Sequence, residues 1–575
     1  MLMHNAEIAS VFDEMADLLA LQEENPFRIR AYRRAAQVIR GLRRELTELV
    51  ERGEDLDALP GIGPDLAAKI TELVKTGRSK AVERLRRQVP PGLVELLRMP
   101  GLGPKRVRAL FQDLKVRDRD SLARAVASGK VSKLRGFGPK LIERLGSDLR
   151  VEQHVERRWL RSVAAQYAEP LARYLRRARS VKDVVIAGSY RRGRETVGDI
   201  DLLVCSTDAA AVVKALRAYD EVARWTASGE KRLTIVLRSG LQVDVRISDP
   251  DCYGAALHYF TGSKAHNIHI RRMARDRGLK INEYGVFRGT RMVAGDTEES
   301  VFATVRLPWI PPEIREDQGE IEAAGGGRLP ALVTRKDLRG DLHSHTNASD
   351  GSESLKAMAQ AARGVGLEYL AITDHSRYLG VVKGQDARRL RRQMEAIDQL
   401  NGKLDGITLL KGAEVDILDD GKLALPDDVL AELDVVIGAV HSHFDLSEQK
   451  QTTRVLRAME HRAFTILSHP LTRLIGERPA VALDLERICR AAKSRPCFLE
   501  LDAQPLRLDL DEVHCRMARE HGVLVSIASD AHAGAQFENL EYGVVQARRG
   551  WLSAGDVLNS RRLSELRPLL RSTFI

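Results

Sequence analysis

The sequence predicts a multidomain chain that begins helical, passes through an α+β region and ends in an α/β layout that admits a barrel. Three observations predict it. A Gly-x-Gly turn recurs three times in the first 150 residues, each time between stretches of helical apolar spacing. Short runs of alternating apolar residues follow between 184 and 245. From about residue 339 onward, apolar runs alternate with helical patterns, and His, Asp and Glu gather at the ends of those runs.

A chain of 575 residues is longer than one hydrophobic core sustains, and its length suggests about three to five domains. Hydrophobic residues make up 43% and charged residues 30%, a globular composition. No run approaches the roughly 18 apolar residues of a membrane span. The start, MLMHNAEIASVFDEMADLLA, lacks the basic-then-apolar order of a signal peptide. Cys205, Cys252, Cys489, Cys497 and Cys515 are scattered and form no CxxC pair, so a reducing cytoplasm is expected. The formal net charge of +11 is uneven, about +14 before residue 336 and about −3 after it. A basic front attracts phosphate backbones through counterion release, although an Arg-rich solvated surface gives the same balance.

The repeated turns are Leu59-Pro60-Gly61-Ile62-Gly63-Pro64, Met99-Pro100-Gly101-Leu102-Gly103-Pro104 and Leu134-Arg135-Gly136-Phe137-Gly138-Pro139. Gly61 and Gly63, Gly101 and Gly103, and Gly136 and Gly138 let a phosphate approach the backbone and helix N-terminal N–H groups. Lys105 and Arg106 follow the second turn and Lys140 the third. One such turn alone is an ordinary helix connection. Three in a basic region resemble helix-hairpin-helix motifs, which grip DNA backbone without reading sequence. Asn25-Pro26-Phe27-Arg28, Ala31-Tyr32-Arg33 and the first hairpin resemble the lyase domain of family X DNA polymerases. That resemblance puts Lys69 at the Schiff-base position, where it would attack an abasic C1′ aldehyde, and Tyr32 beside it as a DNA contact. Asp65 departs from the pattern, since a basic phosphate contact is common there, so an ordinary solvated lysine stays open for Lys69. The expected domains are lyase-like over 1–85 and fingers-like, helical and DNA-binding, over 86–150.

Gly188-Ser189-Tyr190-Arg191-Arg192-Gly193 precedes Thr196-Val197-Gly198-Asp199-Ile200-Asp201. Asp199 and Asp201 are two apart in an extended run, so both carboxylates leave the same face. Asp244, in a later alternating run, joins them if the strands pair. Three converging carboxylates repel unless divalent cations lie between them, and Mg2+ or Mn2+ suits such oxygen ligands. Two metals there lower the pKa of a primer 3′-hydroxyl and stabilise departing pyrophosphate. Gly188 and Ser189 offer donors to a triphosphate and Arg192 adds positive charge. An isolated Asp-x-Asp is often only a surface strand, but this pair with its turn resembles the nucleotidyltransferase superfamily.

Tyr259-Phe260-Thr261-Gly262-Ser263, Asn267, Arg271 and Ile281-Asn282-Glu283-Tyr284-Gly285-Val286 narrow the resemblance to family X. It implies a palm over 151–250 and a thumb over 251–317. It also implies that Tyr259, Phe260 and Gly262 shape the sugar pocket, Asn267 meets the nascent base pair and Arg271 contacts the template side. An untemplated transferase needs no such minor-groove set, which favours template direction. Asp244 is the expected general base.

Asp317–Pro330 holds Gly325-Gly326-Gly327 and reads as an interdomain linker, expected over 318–338. Beyond it come Asp341-Leu342-His343-Ser344-His345, Ser349-Asp350-Gly351, Thr373-Asp374-His375 and Gly412-Ala413-Glu414-Val415-Asp416. Val440-His441-Ser442-His443, Leu467-Ser468-His469-Pro470 and Ser529-Asp530-Ala531-His532 complete the series. Ligands at successive strand ends converge on one face of an α/β barrel. Mixed imidazole and carboxylate donors suit Zn2+, Mn2+ or Fe2+, and they are too many for one structural zinc. The series resembles the polymerase and histidinol phosphatase (PHP) domain, a distorted (β/α) barrel expected over 339–575. The resemblance implies a trinuclear Mn2+ or Zn2+ site of His343, His345, Asp350, His375, Glu414, His441, His469, Asp530 and His532, with Glu414 bridging. His443 falls outside it as a polar strand-end or supporting residue, and Asp374 and Asp416 are expected to orient ligands.

Together these readings predict a bacterial family X DNA polymerase that fills gaps in base excision repair. The expected protein is a cytoplasmic, nucleoid-associated monomer that takes gapped or primer–template DNA and dNTPs and no membrane. Its barrel is expected to be a 3′–5′ exonuclease, with abasic-site cleavage and 3′-end trimming as further activities. Two other readings stay open: a repair nuclease whose polymerase half positions DNA, and a DNA-end-binding scaffold in which neither site turns over.

Overall fold

The computed structural model describes residues 3–42, 44–59, 61–97, 99, 101–138, 141–142, 145–146, 149, 158–377 and 384–573. The chain divides into two compact units, Met1–Arg157 and Arg158–Ile575.

The front unit is helical, with Asn5–Leu21, Pro26–Gly41, Pro64–Thr76 and Pro104–Leu114 as its longest described helices. Their apolar stripes share one core, in which Phe12, Met15 and Ile39 cluster with Leu96, Leu102 and Leu110. Arg108 donates to the carbonyls of Ala20 (2.8 Å) and Leu21 (3.3 Å) and so caps the end of the first helix. The segments expected over 1–85 and 86–150 both lie within the unit Met1–Arg157.

In the second unit, β1 (Val181–Ile186), β2 (Ile200–Ser206), β3 (Val222–Ser228), β4 (Arg232–Leu237) and β5 (Gln242–Ser248) form a sheet ordered β1-β2-β5-β4-β3. β2 and β5 run parallel and the other pairings are antiparallel. Alternation buries Leu233, Ile235, Val243 and Val245 on one face, which leaves Asp201, Thr234, Asp244 and Arg246 on the other. Helices Tyr253–Thr261 and Lys264–Arg275 follow, then a small sheet of β6 (Lys280–Asn282), β7 (Gly285–Arg288) and β8 (Arg291–Ala294).

Residues 318–338, expected as the interdomain linker, include a packed helix. Helix Glu320–Gly325 buries Glu320, Ile321, Ala323 and Ala324. Glu320 lies 2.7 Å from His266 Nδ1, and Leu332 packs with Trp551 in the core around Phe302. The glycines of the linker reading end this helix, with Gly326 as its C-cap.

Seven parallel strands then pair in chain order: β9 (Gly340–Asp341), β10 (Tyr369–Ile372), β11 (Thr408–Asp416), β12 (Val435–Ala439), β13 (Ile466–Leu467), β14 (Phe498–Asp502) and β15 (Val525–Ala528). They are buried along nearly their whole length, as parallel strands covered by helices must be. The sheet nearly closes into a barrel. Ser344 bridges Ala531, and Asn559 fills the gap between β9 and β15. Its amide donates to the carbonyls of Gly340 (2.7 Å) and Ile527 (2.8 Å) and accepts from Ile527 N–H (3.0 Å). Among the described residues, no helix is long and apolar enough to cross a membrane.

Candidate active sites

The three Gly-x-Gly turns share one hydrogen-bond pattern. Ile62, Leu102 and Phe137 N–H donate to the carbonyls of Leu59 (3.0 Å), Met99 (3.0 Å) and Leu134 (3.3 Å). Gly61, Gly101 and Gly136 take φ of +74°, +87° and +90°, left-handed values that favour glycine. In each turn the middle residue is buried and both glycines are exposed, so bare backbone is presented to solvent. Gly63 and Gly103 lead directly into helices Pro64–Thr76 and Pro104–Leu114. Lys105 is exposed beside the second turn, and Lys140 lies outside the described residues. Arg106 instead ties two turns together, donating to the carbonyls of Gly101 (2.7 Å) and Gly136 (2.9 Å). Lys69 pairs with Asp65 one helical turn earlier and donates to its carbonyl at 3.2 Å. Tyr32 is 1% exposed and packs against Phe12, which places it in the core rather than on a DNA-facing surface.

In the palm, Asp201 and Asp244 are register partners on β2 and β5, and Asp199 stands just before β2. Burial, with the charges of Asp199 and Asp244 added, raises the Asp201 carboxyl to about 7 against the pull of Arg246 and Arg192. Mutual repulsion of this kind is what a divalent cation relieves, so the three carboxylates fit one. Thr234, opposite Asp244 on β4, donates to its Oδ1. Gly188, at φ +58°, backs directly onto Asp201, and the single helical turn Gly188–Arg191 carries Ser189 and ends at Arg192. Thr234 and Arg246 belong to no motif, and only their alternation with buried neighbours pointed to this face.

Arg192 donates to the Thr261 carbonyl (2.6 Å) and to Glu316 (3.1 Å), which draws the turn against the thumb. Tyr259 and Phe260 pack edge-on with centroids 5.2 Å apart. Gly262 takes φ +69°, and a Cβ there would lie 3.1 Å from Arg192 Nη1. Asn267 is buried, its amide donating to the Tyr259 carbonyl at 2.7 Å while Oδ1 has no partner. Arg271 is exposed one turn further along the same helix.

The nine barrel candidates all meet at the C-terminal ends of the strands. Glu414 is the hub. Its Oε2 lies 2.8 Å from His375 Nδ1, 3.5 Å from His343 Nε2 and 3.6 Å from His345 Nε2. Its Oε1 lies 3.1 Å from His469 Nε2 and 3.2 Å from His441 Nε2. Asp530 Oδ1 faces His345 Nε2 at 3.0 Å and His343 Nε2 at 3.6 Å. Asp350 Oδ2 faces His532 Nε2 at 3.4 Å and His375 Nε2 at 3.5 Å. Among the described residues, three donor sets gather within 4.8 Å: His345, Asp350, His375 and His532; His343, His345 and Asp530; and His375, Glu414 and His441.

His343 and His345 point Nε2 at one another across 3.0 Å, where two lone pairs repel unless a proton or cation lies between them. The buried Nδ1 of His345 has no hydrogen-bond partner. Burial opposes charge on Glu414, yet His375, His441 and His343 hold its carboxyl well below the usual range. These residues fit a polynuclear cation centre.

Supporting contacts fix the ligands. Glu500, fully buried, accepts from His343 Nδ1 (2.7 Å) and from the N–H of His469 (3.2 Å), which turns His343 Nε2 inward. Asp416 does the same for His441 at 3.0 Å. Asp374 differs from expectation, because Thr346, Ser349 and Gln393 occupy it and it shapes the loop before Asp350. His443 is exposed beside Asp419 (3.2 Å). Arg507 pairs with Asp502 at 3.3 Å, and its Nη1 is buried without a partner. Burial first, then the charge of Arg507, pulls His469 down to about 4. Glu500 and Arg507 were not singled out from the sequence, since nothing local marks them. His469 (φ +22°) and Asp530 (φ +48°) hold left-handed backbone, strain of the kind that gathers at functional sites.

Residues 160–240 and 256–316 match the DNA polymerase beta palm and thumb families, and 341–502 match the PHP domain. Residues 3–79 match a helix-hairpin-helix domain and 93–150 a SAM-like helix-hairpin-helix tandem. A polymerase beta palm and thumb joined to a PHP barrel define a nucleotidyltransferase that carries a second phosphorus-directed centre. The DNA polymerase/3′-5′ exonuclease PolX of Bacillus subtilis (strain 168) is 36% identical over 573 residues, which span 99% of this chain and 100% of that protein. The chain belongs to the family X DNA polymerases that bear a PHP domain. Membership carries DNA and dNTP substrates and the use of divalent cations. Shorter matches are to probable phosphatases. One, of Thermoanaerobacter sp. (strain X514), is 28% identical over 38% of this chain and 89% of that protein. Another, of Caldanaerobacter subterraneus, is 30% identical over 33% of this chain and 75% of that protein.

Proposed function

We propose that this protein fills short gaps in DNA by template-directed nucleotidyl transfer and trims 3′ ends in its barrel. One observation carries the reading. The Asp201–Asp244 register pair behind the Gly188 turn shares a compact unit with a ring of nine donors that has Glu414 as its hub. Divalent cations, Mg2+ or Mn2+ at the carboxylates and Mn2+ or Zn2+ among the imidazoles, supply charge neutralisation at phosphorus.

In the palm, Gly188, Ser189 and Arg192 hold the triphosphate. Thr234 occupies Asp244 Oδ1 and leaves Oδ2 to take the proton of the primer 3′-hydroxyl. Tyr259, Phe260 and Gly262 bound the sugar, and Asn267 and Arg271, four apart on one helix, face the base pair and template. In the barrel, Arg507 Nη1 holds a non-bridging phosphate oxygen while Glu500 and Asp416 keep two histidines oriented. The exposed hairpin turns, with Lys105 and Lys140, hold the DNA backbone whatever its sequence. This reading places the protein as a monomer on nucleoid DNA, in base excision repair.

A gapped, end-labelled duplex assayed with Mg2+ or Mn2+ tests the division of labour. Asp199→Ala with Asp201→Ala is expected to lose extension and keep degradation. His343→Ala with His345→Ala is expected to do the reverse. Loss of both activities in either double variant overturns it. The matches to probable phosphatases, about as long as the barrel, favour a second barrel activity, removal of 3′-phosphoryl ends. Wild type is then expected to release inorganic phosphate from a 3′-phosphorylated duplex, and the barrel double variant none.

A further inference from the structure

Arg549 ends helix Leu540–Arg549 of the barrel domain, and its side chain is 2% exposed. It reaches across to the palm. Its Nη1 donates to the Arg192 carbonyl at 2.6 Å and to Glu316 at 3.2 Å, and its Nη2 donates to Glu512 at 3.0 Å. Glu316 also accepts from Arg192 Nε (3.1 Å), and Glu512 from Arg194 (3.2 Å). Charges therefore alternate along Arg192, Glu316, Arg549, Glu512 and Arg194, with Arg549 in the middle. Packing follows the same line. A Cβ on Gly193 would lie 2.3 Å from Val545 Cγ1, one helical turn before Arg549. The helix thus presses on the back of the Gly188–Gly193 turn that presents Ser189 and Arg192. A tether between domains needs only surface partners; this guanidinium is buried on a main-chain carbonyl of the nucleotide turn itself.

We propose that Arg549 is a positioning residue for nucleotidyl transfer, holding the turn from behind so that Ser189 and Arg192 meet the triphosphate. The nuclease half is then a structural part of the polymerase's nucleotide site. Nucleotide affinity depends on the barrel's fold and not on its cations. The inference rests on the reading of Arg192 as a triphosphate contact.

The test uses full-length protein on a one-nucleotide gap with Mg2+, reading dNTP KM and kcat beside exonuclease rate and melting temperature. Arg549→Ala is expected to raise KM about tenfold and change kcat less than about twofold, because a displaced turn weakens binding before chemistry. Arg549→Lys recovers part of the loss. Glu512→Gln, which removes the negative charge beside Arg549 and keeps an amide oxygen as acceptor, raises KM about threefold and melts as wild type does. It decides the matter if Arg549→Ala does not fold. Unchanged KM in the Arg549 and Glu512 variants overturns the proposal, as does a parallel fall of kcat, exonuclease rate and melting temperature. Arg192→Ala separates the two readings. If it leaves KM unchanged, the triphosphate contact itself fails; if it alone raises KM, only the positioning role fails.

Discussion

Gly188 lies so close to Asp201 that a β-carbon on it would sit 2.0 Å from the carboxylate Oδ2. Gly188→Ala is therefore expected to displace Asp201 from its place beside Asp244. Gap filling should fall by about 100-fold or more, since small misplacements of reacting groups cost that much. Exonuclease rate, measured on the same preparation, should hold, because the barrel donors are untouched.

Protonation of Asp201 gives a second prediction. Its carboxyl is raised to about 7 by burial and then by Asp199 and Asp244. A carboxyl raised on folding stabilises the folded state fully below its unfolded value, and that contribution is lost as pH climbs through the folded value. In chelator, Asp201→Asn should match wild type near pH 4 and melt above it at pH 8. The difference should be on the order of 2 kcal/mol. Identical melting at both ends would mean that the three carboxylates do not crowd one another.

Glu195, between the nucleotide turn and Asp199, pairs with Arg473, four residues after His469, and accepts from Gln546 at 2.7 Å. Removing one member of a largely buried pair strands the other. Arg473→Ala should cost about 2–4 kcal/mol in urea unfolding and Glu195→Gln distinctly less, because a neutral amide keeps some of the hydrogen bonds.

The Asn559 amide can be tested in the same way. Asn559→Ala removes three buried hydrogen bonds at the barrel gap and should cost about 3 kcal/mol. Asn559→Asp keeps the acceptor and loses both donations, so it should rescue nothing. Denaturant midpoints decide between this outcome and a dispensable plug.

Lys69 is engaged by Asp65, which occupies the amine that an abasic aldehyde would need. Borohydride trapping on abasic DNA should therefore be weak in wild type and stronger in Asp65→Ala. It should be absent in Asp65→Ala with Lys69→Ala. Equal trapping in the last variant would remove Lys69 from any lyase chemistry.

What was legible in the sequence is what chemistry confines to a few neighbouring positions. The Gly188 turn, the Asp199–Asp201 pair and the barrel donors each carry their own spacing; alternation offered Asp244 as a third carboxylate, and strand pairing set it beside Asp201. What was hidden depends on distant partners. Tyr32 reads as a surface aromatic until Phe12 packs on it, and Arg106 reads as a phosphate contact until it spans Gly101 and Gly136. Glu500 and Arg507 acquire meaning only when β14 comes beside β13 and β15. The glycines at 325–327 mark a linker, and nothing local shows that Ile321 and Ala324 supply an apolar face that folds the segment down.

That packed segment has a further consequence. With Glu320, Ile321, Ala323 and Ala324 buried, the two metal-competent centres are joined by a packed segment and not by a slack tether. On the proposed division of labour, a primer terminus that goes from Asp201 to His343 would make the journey itself, by unpairing. Editing would then be timed by how readily the duplex end frays, and a mismatched terminus, which frays most, would deliver itself for removal.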